Sequence, residues 1–83
     1  MKVHIKYFAS IREAVGSGAE TLDTSALTVA TLRDQLIARG GGYAESLARG
    51  KAVRVALNQT LSDESAALAE GAEVAFFPPV TGG

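Results

Sequence analysis

The chain has 83 residues, 47% apolar and 20% charged, with a net charge of −1. That is the profile of one small globular domain, whose core buries roughly 60–65% of the unfolded surface. Its eight basic residues are scattered, which argues against nucleic-acid binding, and no apolar run approaches the length of a membrane span. Cysteine is absent and His4 is the single histidine, so disulfides, thiolate catalysis, Cys-ligated metal and a Ser/His/Asp set have no basis here.

Val3, Ile5 and Tyr7 alternate with Lys2, His4 and Lys6, which predicts a half-buried strand over residues 2 to 9. This alternation is unlike the apolar stretch of a signal peptide, so a cytoplasmic protein is expected. Phe8 falls on the polar side of the strand, where it is either covered locally or exposed for a partner. Ser10-Ile11-Arg12-Glu13 has capping-box spacing and predicts a short helical turn through Ala14-Val15, ended by Gly16 and Gly18. A weaker strand is expected over 19 to 24. Thr28 is placed to cap the main helix, residues 29 to 39, with Val29, Leu32, Leu36 and Ile37 on one face. Arg33, Asp34 and Gln35 are expected to point away from that face, and Arg39 suits the carbonyl end. Gly40-Gly41-Gly42 lacks the flanking strand and helix and the Lys-Ser/Thr of a phosphate loop. It reads as a helix stop and flexible link before a short helix at 43 to 49, closed by Gly50.

Val53, Val55 and Leu57 alternate with Arg54 and Ala56 in a third strand, Asn58-Gln59 turns the chain, and Thr60-Leu61 starts a brief fourth. Residues 62 to 68 form a loop, Glu70-Gly71 a turn, and Glu73 to Phe77 the last strand. Pro78 and Pro79 then end the sheet, because each ring fixes φ and removes a ladder N–H. The expected division is a domain over 1–77 and a flexible tail over 78–83. The closing Val80-Thr81-Gly82-Gly83 puts a bare α-carboxylate on a backbone thin enough to enter a narrow channel. A terminal Gly-Gly also occurs as a plain frayed end, and composition leaves both readings open.

The predicted order is β-β-α-β-β-β, an α+β domain with a small mixed sheet and one main helix on one face. Val3, Ile5, Tyr7, Val53, Val55, Leu57, Val74 and Phe76 form the inward set. Phe8 and Phe77 then fall on the uncovered face near the tail, joined by Leu61, as a small docking patch.

Three segments carry a resemblance: Phe8-Ala9-Ser10-Ile11-Arg12-Glu13, Asn58-Gln59-Thr60-Leu61, and Glu73 through Gly83 with its Phe-Phe-Pro-Pro-Val-Thr-Gly-Gly ending. Over essentially its whole length the chain resembles the small, sulfur-carrying subunits of molybdopterin synthase, which have the ubiquitin-like β-grasp fold. The resemblance implies that an E1-like enzyme adenylates the Gly83 carboxylate with ATP and Mg²⁺, the chain itself binding no cofactor. Sulfur then displaces AMP, and the resulting thiocarboxylate donates sulfur to cyclic pyranopterin monophosphate inside the large catalytic subunit, in a heterotetramer. It further implies that Gly83 carries the sulfur, that Gly82 is its slim neighbour, and that Phe8, Leu61 and Phe77 form the partner contact. Arg12 is a polar contact beside them, and Pro78, Pro79, Val80 and Thr81 belong to the inserted tail. The rivals are a thiocarboxylate carrier for another client (thiazole, cysteine or tRNA thiolation), a protein modifier joined to lysines, and an interaction module with an inert tail.

Overall fold

A computed structural model describes residues 1–79. The opening alternation folds as β1 (Lys2–Tyr7), with Val3, Ile5 and Tyr7 buried and Lys2 and His4 exposed. The chain then turns sharply into α1 (Ala9–Val15). The N-cap is Phe8, in extended geometry and without a side-chain hydrogen bond, so Ser10 and Glu13 lie inside the helix and do not form the expected capping box. Gly16 ends α1 in the left-handed conformation at φ 82°, as a Cβ-free residue can. Next come β2 (Ala19–Asp23), α2 (Val29–Ile37), α3 (Gly41–Leu47), β3 (Arg54–Leu57), β4 (Thr60–Ser62) and β5 (Glu73–Phe77). Thr28 does cap α2, its hydroxyl accepting the Thr31 N–H at 3.2 Å. The 62–68 loop completes that cap, since the Ala66 and Glu64 carbonyls accept the Val29 and Ala30 N–H groups.

The five strands form one mixed sheet in the order β2-β1-β5-β3-β4. β1 and β5 are parallel at its centre, and the other neighbours run antiparallel. This is the β-grasp arrangement. Val3, Ile5, Tyr7, Val55, Val74 and Phe76 from the sheet meet Ile11, Leu32, Leu36 and Leu47 from the helices in a single core. Val53 precedes β3, and it and Leu57 are only partly buried at the core's edge. No helix among the described residues is long and apolar enough to cross a membrane.

Three further expectations need correction. Arg33 is buried, not solvent-facing, because its fork has partners inside. Nε donates to the Leu47 carbonyl at 2.7 Å, Nη2 to the Ala48 carbonyl at 2.7 Å, and Nη1 meets Glu64 at 3.0 Å. Gly40-Gly41-Gly42 is no loose link either. Gly40 is the N-cap of α3, and Gly41 and Gly42 are its first residues. A Cβ on Gly42 would stand 1.8 Å from the Ala14 carbonyl oxygen, so glycine is what lets α3 cross α1 at contact distance. Finally, Phe77 is half-buried and not freely exposed, since the following prolines and the neighbouring strand flank it.

Arg39 reaches past the helix end to Glu20 at 2.7 Å and lies over the Tyr43 ring, 4.8 Å from its centroid. Tyr7 donates to the same Glu20 oxygen at 2.6 Å and meets Tyr43 edge-on. Burial, and after it Glu20, push the Tyr7 phenol far up. Burial acts on Glu20 in the same direction, but the bonds from Arg39 and Tyr7 outweigh it and hold the carboxyl below its usual range.

Candidate functional site

Facing partners in neighbouring strands share a side of the sheet, so the register defines the face opposite the core. Lys6 pairs with Ala75, Ala75 with Ala56, and Ala56 with Leu61, while Phe77 pairs with Arg54 one step nearer the chain exit. Alanines at the two central positions keep this outer face low. A groove of about 690 Å³ runs along it. β1 and the start of α1 contribute Lys6, Phe8 and Ala9; β3 and its turn contribute Ala56 and Gln59; β5 and its exit contribute Glu73, Ala75, Phe77, Pro78 and Pro79.

Phe8 is presented by its backbone. Its N–H donates to the Phe76 carbonyl at 3.1 Å, extending the β1–β5 ladder by one step, and its carbonyl accepts the Ile11 and Arg12 N–H groups as the helix begins. Ala9 then takes φ 51°, a left-handed value uncommon outside glycine, to make the corner. With its main chain held on both sides, Phe8 keeps 46% of its surface exposed. Leu61 is 62% exposed on the other side of Ala56 and, with Pro79, borders the adjoining hollow over β3 and β4. Lys6 and Glu73 form an ion pair at 3.2 Å across the groove floor, an exposed pair that adds little stability.

The structure therefore brings Phe8, Phe77, Pro78 and Pro79 together, with Leu61 next to them. It does not place Arg12 in the groove. Arg12 lies one turn along α1, its guanidinium packed over Gly18, and borders a separate hollow that shares only Ala9 with the first. Val80, Thr81, Gly82 and Gly83 fall outside the described residues. Sequence reasoning placed Ala75 on the same face as Phe77 but did not include Ala56 or Gln59 in this surface. Strand parity was the available signal for the alanines, whereas Gln59 looked like turn chemistry only.

Comparison with known proteins agrees with the fold. The model of the ThiS family matches residues 5–83. The molybdopterin synthase sulfur carrier subunit of Haemophilus influenzae is 41% identical over 98% of this chain and 99% of its own length. Among solved structures, SAMP1 of Haloferax volcanii superposes with a TM-score of 0.78 at 30% identity, all of both chains being covered. A chain from the complex of subunits 1 and 2 of the molybdopterin-converting factor of Helicobacter pylori superposes with a TM-score of 0.71 at 27% identity, again over all of both.

Proposed function

Because the chain belongs to the ThiS family, we propose that it is the sulfur-carrier subunit of a molybdopterin synthase. The observation that carries this reading is the outer face. Phe8, Phe77, Pro78 and Pro79 line one apolar groove at the end of β5, the last strand before the chain's closing residues. A partner seated on that groove receives the chain end beside it. Four residues beyond Pro79 extend at most about 14 Å, enough to deliver a carboxyl group into a pocket in the partner.

The chemistry follows from the poor reactivity of a carboxylate. An E1-like partner would join the Gly83 carboxylate to ATP with Mg²⁺, releasing pyrophosphate and leaving an acyl-adenylate. A sulfur nucleophile then displaces AMP, a good leaving group, to give the thiocarboxylate. In the large subunit the thiocarboxylate sulfur bonds to the cyclic pyranopterin monophosphate precursor, and water then cleaves the Gly83 acyl–sulfur bond, so each transfer returns Gly83 to a carboxylate. Gly82 supplies the narrow backbone this passage requires. The large subunit supplies the catalytic side chains, in keeping with a chain that has no cysteine and one histidine. The working assembly is a heterotetramer in the cytoplasm, and Arg12 adds a polar contact beside the apolar face.

Intact mass tests the proposal. The full chain is incubated with an activating enzyme, ATP, Mg²⁺ and a sulfur source. The expected gain is the exchange of one oxygen for one sulfur, abolished by deleting Gly83. No gain, with an enzyme active on its own carrier, would refute it. The likeness to SAMP1, named a small archaeal modifier protein, favours a second reading, attachment of Gly83 to lysines. Accumulation of covalent adducts in cells, without the sulfur exchange, would select that one.

A further inference from the structure

The β3–β4 turn holds two side chains in the left-handed region, Asn58 at φ 50° and Gln59 at φ 69°. The fold accounts for the first. Asparagine enters this region more readily than most residues. Here its Oδ1 accepts the Glu73 N–H at 3.0 Å while its own N–H donates to the Glu73 carbonyl at 2.8 Å, which ties the turn to β5. The fold does not account for the second. A tight hairpin turn of this kind favours glycine at its second central position, where a Cβ is a burden. Gln59 is exposed, and among the described residues its carboxamide has no hydrogen-bond partner. Gln59 instead lines the outer groove with Phe8, Ala75 and Phe77.

We infer that Gln59 is a specificity-determining residue, whose carboxamide hydrogen-bonds the large synthase subunit at the polar edge of an apolar contact. Backbone strain persists where a presented group makes use of it. Phe8, Leu61 and Phe77 reward any apolar surface of matching shape. A carboxamide with two donors and one acceptor also rejects partners that leave it, or its counterpart, unpaired. The polar rim of an apolar interface is where such selection operates. This role rests on the outer face being the surface that the large subunit covers.

Calorimetric titration of the full chain with its cognate large subunit, run beside thermal unfolding of the free chain, tests the inference. In Gln59→Gly the unfolding midpoint holds or rises by up to about 6 °C, because strain is relieved. The dissociation constant weakens about three- to tenfold, the worth of one hydrogen bond. Asn58→Gly gives the opposite signature, a lower midpoint with unchanged affinity. If Gln59→Gly binds as the parent does, or unfolds at a lower temperature, Gln59 is an ordinary turn residue and the inference fails. If the parent chain itself does not bind the large subunit, the assignment of the outer face fails first, whatever Gln59 does.

Discussion

Replacing Arg33 by methionine removes a buried guanidinium and keeps most of the stem that packs around it. The bonds lost are Nε to the Leu47 carbonyl at 2.7 Å, Nη2 to the Ala48 carbonyl at 2.7 Å, and Nη1 to Glu64 at 3.0 Å, with a longer one to the Lys51 carbonyl at 3.3 Å. Arg33 is only 3% exposed, so water cannot readily replace those donors. A hydrogen bond from a charged donor contributes about 1.5–3 kcal/mol, though such values do not add within one cluster. Glu64 keeps a partner in Arg49, and methionine avoids the desolvation that the guanidinium suffers. These opposing effects leave an expected loss of about 3–5 kcal/mol, chiefly from the Leu47 and Ala48 carbonyls left without donors at about 1–3 kcal/mol each. Total stability for a chain of 83 residues is about 4–12 kcal/mol, so the loss is a large fraction of it. Urea unfolding followed by circular dichroism measures it, with a slope near 1 kcal/mol per molar and a midpoint falling by about 3 M or more. A loss below about 1 kcal/mol would refute the reasoning, showing that the bonds merely offset desolvation. Arg33→Lys separates charge from shape: an ammonium cannot fork across two adjacent carbonyls, and it is expected to lose nearly as much.

Gly42→Ala forces a Cβ towards the Ala14 carbonyl and is expected to lose about 2–3 kcal/mol as α1 and α3 separate; calorimetry showing parental stability would refute the tight crossing. Phe76→Ala, fully buried, should lose about 3–5 kcal/mol. Phe77→Ala, half-buried on the outer face, should lose about 1–2 kcal/mol by area and weaken large-subunit binding more than Phe76→Ala does; equal stability losses would contradict the two-sided reading of β5. Glu20 has a lowered folded-state pKa, so its contribution is present above the unfolded value of about 4.3 and disappears as pH falls through the folded one. Thermal midpoints across the acid range should therefore drop less steeply in Glu20→Gln than in the parent, and parallel curves would remove Glu20 from the acid limb.

Period-two patterning was legible wherever one strand face meets the core, as at Val3, Ile5 and Tyr7 or at Val74 and Phe76. The Asn58-Gln59 turn and the Thr28 cap were legible because their chemistry is local. What failed depended on partners far along the chain. Arg33 looks solvent-facing until the carbonyls at the end of α3 and the 62–68 loop arrive to fill its fork. Gly41 and Gly42 look like a link, because intrinsic preference opposes helix there; Gly41 is needed for its φ of 53°, and only the crossing with α1 makes the missing side chain of Gly42 an advantage. Ser10 and Glu13 had capping spacing, but the β1–β5 ladder runs one residue further and makes Phe8 the cap instead. On the outer face, Phe8 and Phe77 could be read from parity, as could the side each alanine takes, whereas the pairing of Ala56 with Ala75 into one floor needed the register between β3 and β5.

The placement of the chain exit follows from the same register. β5 is paired on both sides, with β1 in parallel and β3 antiparallel, so it is among the strands least free to shift. Its inward residues, Val74 and Phe76, belong to the core, and its outward residues, Ala75 and Phe77, belong to the groove. The Phe76 carbonyl is held by the Phe8 N–H, which ties the corner that presents Phe8 to β5 one residue before Phe77. Pro78 and Pro79 then stop the ladder without needing donors of their own. Pro78 and Pro79 are thereby set against the groove by the strand that anchors the core. Because stability comes from the other side of the sheet, substitutions on the outer face can change what binds with little effect on whether the chain folds.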